Sequence, residues 1–163
     1  MKKEDYTFTF EVYESIEELG EQDALLLKHA RVITKHAYAP YSHFRVGAAA
    51  QLQNGETVTG SNQENASFPV GLCAERVLLA TAASLFPTIP IETIAISYHN
   101  ENGASNHPIS PCGICRQSLL EYESFLRHPI RIILGGLEGK IFIIEKVAML
   151  LPFCFTSDDL SGS

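Results

Sequence analysis

Three cysteines limit the folds open to this chain more than any other feature. Cys112 and Cys115 lie in the run Pro111-Cys112-Gly113-Ile114-Cys115, and Cys73 opens the run Cys73-Ala74-Glu75. Each run stands at the start of a helix-patterned segment. Proline favours the first turn of a helix, and residues three apart on a helix share a face, so Cys112 and Cys115 are predicted to point the same way. If all three thiols bind one metal ion, two helix starts far apart in sequence must converge on one point. The positive ends of both helix dipoles then face the cluster, which favours the thiolates a metal needs. Three protein ligands hold a zinc ion and leave its fourth position open for water. Glu75 can stand over that position without binding the metal. This is the equipment for attack on a ring carbon by metal-activated water.

Three thiolates on a divalent ion leave an excess of negative charge, which works against activating water. Arg76, beside Glu75, and Arg116, beside Cys115, are the expected compensators, through hydrogen bonds to the sulfurs. Two other readings stand beside this one. Cys154 could complete a closed four-cysteine structural site, and Cys112 with Cys115 could be a redox pair. A structural site, however, has no use for a carboxylate at the position of Glu75. Cys154 sits in the apolar stretch 150–155 and reads as a packed core thiol. The six histidines are scattered and read as surface or loop residues.

The 163 residues, 45% hydrophobic and 19% charged, suffice for one domain with a real core. A net charge of −7 argues against a nucleic-acid partner, which normally meets a basic footprint. No apolar run approaches the roughly 20 residues that span a bilayer, so no membrane partner is expected. The N-terminus lacks the apolar segment of a signal peptide, and a cytoplasmic location is the expectation. In that compartment four cysteines suit a metal or catalysis better than disulfides.

Residues 6–13 alternate Tyr6, Phe8, Phe10 and Val12 with polar neighbours, a short strand that could add to a sheet edge or cover a partner. Ser15 and Glu18 have capping-box spacing. An amphipathic helix is predicted from Glu21 to about Ala37. Strands at 44–53 and 56–60 flank Asn54-Gly55, a strong hairpin signal. A helix from Cys73 to about Leu85 follows, then a strand at 91–98, a polar loop at 99–110 and a helix from Pro111. Strands at 130–134 and 140–144 and a short helix to Leu151 complete the pattern. The order predicts one α/β domain spanning 1–163, a mixed sheet flanked by helices. Residues 157–163 are expected to fray. Only Gly135 to Gly139 separates the last two strands, whereas a parallel crossover needs about a dozen residues. If neighbours, those strands are antiparallel.

Four motifs in order then carry a resemblance that runs from about Leu25 to Phe155. They are Tyr38-Ala39-Pro40-Tyr41-Ser42-His43-Phe44-Arg45-Val46-Gly47-Ala48-Ala49, Asn62-Gln63-Glu64-Asn65-Ala66-Ser67-Phe68, Cys73-Ala74-Glu75-Arg76, and Pro111-Cys112-Gly113-Ile114-Cys115-Arg116-Gln117. The chain resembles the cytidine deaminases, in their free-nucleoside, homotetrameric form with three cysteine ligands. The resemblance implies a three-layer α/β/α fold around a five-stranded mixed sheet whose last two strands are antiparallel. The polynucleotide-editing relatives resemble a version with those strands parallel. Residues 1–20 extend beyond the shared core.

It further implies one zinc ion per subunit, on Cys73, Cys112 and Cys115, with Glu75 as the proton shuttle. Phe44 would lie against the pyrimidine, Asn62 and Glu64 would bind the ribose hydroxyls, and the Ala74 N–H would read a ring carbonyl. Arg76 would neutralise the thiolates, and Phe155 would reach the active site of a neighbouring subunit. Ordinary core packing for Phe44 and Phe155, and ordinary turn polarity for Asn62 and Glu64, are the plainer alternatives. The implied activity is hydrolysis of cytidine and deoxycytidine to uridine and deoxyuridine with release of ammonia, a step of pyrimidine salvage. A deaminase of blasticidin S or of a deoxycytidine nucleotide is the rival enzyme, and the nucleotide reading lacks a Lys or Arg in the 61–68 loop. A zinc-stabilised binding protein without turnover is the rival outside enzymes. The loop 99–110 has no role in the resemblance and reads as a surface connection.

Overall fold

Alanine and branched aliphatic residues alternate sides along three central strands, and this alternation builds the molecule. The computed structural model describes residues 1–161. Its strands are β1 (Glu11–Tyr13), β2 (Phe44–Leu52), β3 (Thr57–Ser61), β4 (Ile91–Asn100), β5 (Arg131–Gly135) and β6 (Ile141–Ile144). They form one sheet in the order β1-β6-β5-β4-β2-β3, parallel only between β4 and β5. The helices are α1 (Glu21–Ile33), α2 (Ala74–Leu85), α3 (Gly113–Phe125) and a short α4 (Ser157–Ser161).

Ala49, Ala95 and Ile133 face Leu26, Leu27 and Ala30 of α1. Their neighbours Ala48, Ala50, Ile94, Ile96, Ile132 and Leu134 face Leu78, Leu79 and Ala82 of α2 and Leu119 of α3. Both faces are thus covered, which makes three layers. The central strands therefore read as continuous apolar runs. The Ala49–Ala95 pair is small on the α1 side, where that helix comes close to the sheet. Arg131 of β5 ties the same helix down through two bonds to Asp23, of 2.7 and 2.8 Å.

The hairpin forms where Asn54-Gly55 predicts it. Gly55 takes φ +88°, and Asn54 Oδ1 accepts from the Glu56 N–H at 3.1 Å. The last two strands are antiparallel, with Ile132 opposite Ile144.

The sheet has six strands rather than five. Glu11–Tyr13 pairs with Ile141–Ile143 at the β6 edge. A segment this short carries too little pattern to tell edge strand from cover, and the free edge of β6 decides it. Phe10 also packs on Phe142 at 5.0 Å between ring centroids. Ser15 makes no capping bond; Glu18 Oε2 instead accepts from the Glu14 N–H at 3.0 Å.

Within the tail expected to fray at 157–163, residues 157–161 form α4, and residues 162 and 163 lie outside the described residues. Thr156 and Asp159 make a capping pair there. Asp159 Oδ2 accepts from the Thr156 N–H at 2.8 Å, and acids at Asp158 and Asp159 favour the helix start.

Candidate functional site

Cys73 and Cys112 are the N-cap residues of α2 and α3, both with extended backbone, and Cys115 sits in the first turn of α3. Because α2 and α3 lie side by side on one face of the sheet, their starts meet. The three Sγ atoms lie within 4.8 Å of one another, and those of Cys73 and Cys112 are 3.9 Å apart. Tetrahedral zinc with Zn–S bonds of about 2.3 Å sets its sulfurs about 3.8 Å apart, so this donor set fits that ion. Cys115 is buried and Cys112 is exposed. Cys154 is outside the cluster and packs, half buried, against the core.

The thiols share their protons unevenly. Hydrogen bonding from Cys115 draws the Cys73 thiol down to about 6, with Cys112 and the charge of Arg76 acting the same way. Cys115 is pushed up, first by its bond to Cys73, then by burial and the Glu75 carboxylate. Glu75 is only 5% exposed, and burial raises its pKa above the usual carboxylate range. A divalent ion is the natural partner for such a cluster, since it displaces the protons that the thiols otherwise trade.

Arg76 acts on Cys73 through charge. The expectation for Arg116 is corrected. Its Nε donates to the Pro111 carbonyl at 2.9 Å and its Nη1 to the Leu150 carbonyl at 3.1 Å. The guanidinium therefore holds the backbone just before Cys112 instead of the sulfurs.

A cavity of about 420 Å³ opens over the cluster. Asn62, Glu64, Cys73, Ala74, Glu75 and Cys112 line it. The segment after β3 brings the first two there. Gln63 exchanges backbone bonds with Leu72 at 2.8 and 2.9 Å, which folds the loop back onto the start of α2. Asn62 continues the ladder with its side chain: Oδ1 accepts from the Val46 N–H at 2.7 Å and Nδ2 donates to the Phe44 carbonyl at 2.9 Å. Glu64 Oε2 accepts from the N–H groups of Tyr41 and Ser42 at 2.9 and 3.3 Å. The Ala74 N–H belongs to the first turn of α2, where helix donors have no partner within the helix.

Phe44 and Phe155 do not line this cavity. The Phe44 ring stacks on Tyr98 instead, at 5.0 Å and 13°. Phe155 is 58% exposed, on a tail held by a bond from Gln117 Nε2 to its carbonyl at 2.9 Å. Sequence reasoning missed the apolar wall, made by Val46, Ile96, Phe68, Leu72 and Ile109. Val46 and Ile96 sit at alternate strand positions on the face toward α2, which was legible. Ile109 and Ser110 come from the loop read as a surface connection. Among the described residues, no lysine or arginine lines the cavity.

Residues 20–125 match the family described as the cytidine and deoxycytidylate deaminase zinc-binding region. The chain is 36% identical over 137 residues to the cytidine deaminase of Halalkalibacterium halodurans, covering 84% of this chain and 96% of that protein. It is 38% identical over 127 residues to the cytidine deaminase of Mycobacterium tuberculosis, covering 76% and 82%. The crystal structure of a cytidine deaminase from Burkholderia pseudomallei superposes with a TM-score of 0.71 at 32% identity, covering 84% of this chain and all of that one.

Proposed function

The chain belongs to the cytidine and deoxycytidylate deaminase family, and from that premise we propose that it hydrolyses free cytidine and deoxycytidine to uridine and deoxyuridine, releasing ammonia. The observation that carries this reading is a buried carboxylate, Glu75, beside three sulfurs spaced for zinc at the floor of a cavity. Zinc held by Cys73, Cys112 and Cys115 would supply the Lewis acid that makes a water nucleophilic at neutral pH. Glu75 takes the proton from the attacking water and passes it to N3 of the ring as C4 is attacked. It then carries the remaining proton of the hydroxyl added at C4 to the exocyclic amine; the C4–N bond breaks, ammonia leaves and C4 becomes the carbonyl of uridine. Burial suits this exchange, because raising the carboxylate pKa makes Glu75 a better acceptor of the proton it must carry.

The Ala74 N–H is free to meet a ring carbonyl at the helix start. Asn62 and Glu64 present polar groups to the ribose, Glu64 with its carboxylate oriented by the Tyr41 and Ser42 N–H groups. Two carboxylates and no cation in the lining disfavour a 5′-phosphate, so the nucleoside is preferred to the nucleotide. Phe44, two residues before the lining Val46 on the same face of β2, stands outside the lining and would wall the base at the cavity mouth.

The chain functions as a homotetramer. Tyr38, Tyr41, Phe68, Val70, Phe153 and Phe155 are large exposed apolar residues on segments around the cavity and on the C-terminal tail, which supports partners covering them and Phe155 entering a neighbour's site. Free thiols and the lack, among the described residues, of a helix long and apolar enough to cross a membrane accord with a cytoplasmic place.

Purified protein should convert cytidine and deoxycytidine, lose activity with a chelator, and turn over deoxycytidylate and blasticidin S far more slowly. Preference for deoxycytidylate or blasticidin S would overturn the substrate assignment. Zinc without turnover of any cytosine compound would overturn the enzyme. Sedimentation as a monomer at assay concentration would overturn the tetramer.

A further inference from the structure

The end of β4 and the loop after it hold Phe44 from two sides. On one side, Glu101 spans the residues that flank it. Its carboxylate meets His43 Nδ1 at 3.1 Å and bonds Arg45 Nε, and its N–H donates to the His43 carbonyl at 3.0 Å. His43 sits in the left-handed region at φ +56°, a conformation a non-glycine residue keeps only when its surroundings hold it. On the other side is Tyr98. Its ring is 1% exposed and lies flat under Phe44, at 5.0 Å and 13°. The exposed His107, from the same loop, meets the Tyr98 ring edge-on at 5.7 Å, and its Nδ1 shares a 3.1 Å hydrogen bond with the Tyr98 hydroxyl.

Tyr98 pairs across the strands with Val46, and Val46 lines the cavity, as does Ile96 two residues before Tyr98. The Phe44–Tyr98 stack therefore continues the apolar wall toward the rim. Core packing alone would be served equally well by phenylalanine at 98. The hydroxyl and its imidazole partner are what a packing role leaves unexplained. Past His107 the loop supplies Ile109 and Ser110 to the cavity and runs into Cys112.

We infer that Tyr98, clamped by His107, is a positioning residue that sets the tilt of Phe44 against the bound pyrimidine. This rests on Phe44 walling the base, as stated above. Locking that ring in advance removes an ordering cost from substrate binding, so its effect falls on KM rather than on the chemical step.

The test is a set of kinetic cycles on cytidine with the zinc-loaded enzyme. Tyr98→Phe and His107→Ala should each raise KM about two- to tenfold, the range of one neutral hydrogen bond, with kcat, zinc content and thermal midpoint nearly unchanged. The double variant should be no worse than either single one, because both remove the same bond. Phe44→Ala should raise KM further, and adding Tyr98→Phe to it should change nothing more. An unchanged KM in Tyr98→Phe, or additive effects of Tyr98→Phe and His107→Ala, overturns the inference while leaving the role of Phe44 intact. An unchanged KM in Phe44→Ala overturns both.

Discussion

Gly60 of β3 lies directly against the turn that carries Ala74. A Cβ at Gly60 would stand 2.5 Å from the Ala74 carbonyl oxygen and 2.5 Å from the Leu78 nitrogen. Both are backbone atoms, so nothing flexible can yield. The absence of a side chain here is what seats the start of α2, and with it Cys73 and Glu75, at the cavity floor. Gly60→Ala should destabilise the fold by about 2 kcal/mol and weaken zinc binding, read by urea unfolding and metal titration. Gly113→Ala is the control. A Cβ there meets nothing within 4 Å, and its stability should match or exceed the wild type.

Glu75→Gln keeps the shape of the side chain and removes its ability to carry a proton. Turnover of cytidine should fall by about a thousandfold or more, while zinc content and the unfolding midpoint hold. Near-normal turnover in this variant would remove Glu75 from the mechanism.

Zinc uptake should be coupled to pH. The Cys73 thiol is drawn down to about 6, whereas Cys115 is pushed up and keeps its proton at neutrality. The metal must displace that proton, so affinity rises with pH. It falls more steeply as the pH drops below about 6, where Cys73 gains a proton too. Competition with a coloured chelator across this range reads the slope directly, and a flat profile would contradict the proton sharing.

Glu123 of α3 ties three backbone groups together. Its Oε2 accepts from the N–H groups of Ile130 and Val147, both at 2.9 Å, and its Oε1 from that of Ala148 at 3.2 Å. Glu123→Ala orphans all three and should cost about 3 kcal/mol in urea unfolding, with Glu123→Gln intermediate. The kcat of the folded fraction should be little changed, since Glu123 is remote from the cavity lining.

Sequence alone was enough to single out the three clustered cysteines and the carboxylate beside them, and to give the helix starts, the Asn54-Gly55 turn and the antiparallel end of the sheet. Apart from the meeting of Cys73 with Cys112 and Cys115, which a shared metal ion demands, each of these rests on residues a few positions apart, where helix geometry, turn chemistry or loop length leaves little choice. Folding alone revealed that Glu11–Tyr13 closes the β6 edge, that Arg116 spends its donors on the Pro111 and Leu150 carbonyls, and that Phe44 stacks on Tyr98 beside a loop whose residues carry no legible motif. Those outcomes depend on which distant groups arrive within a few ångströms. A strand's periodicity says which face is buried, but not which side chain from another element will meet it there.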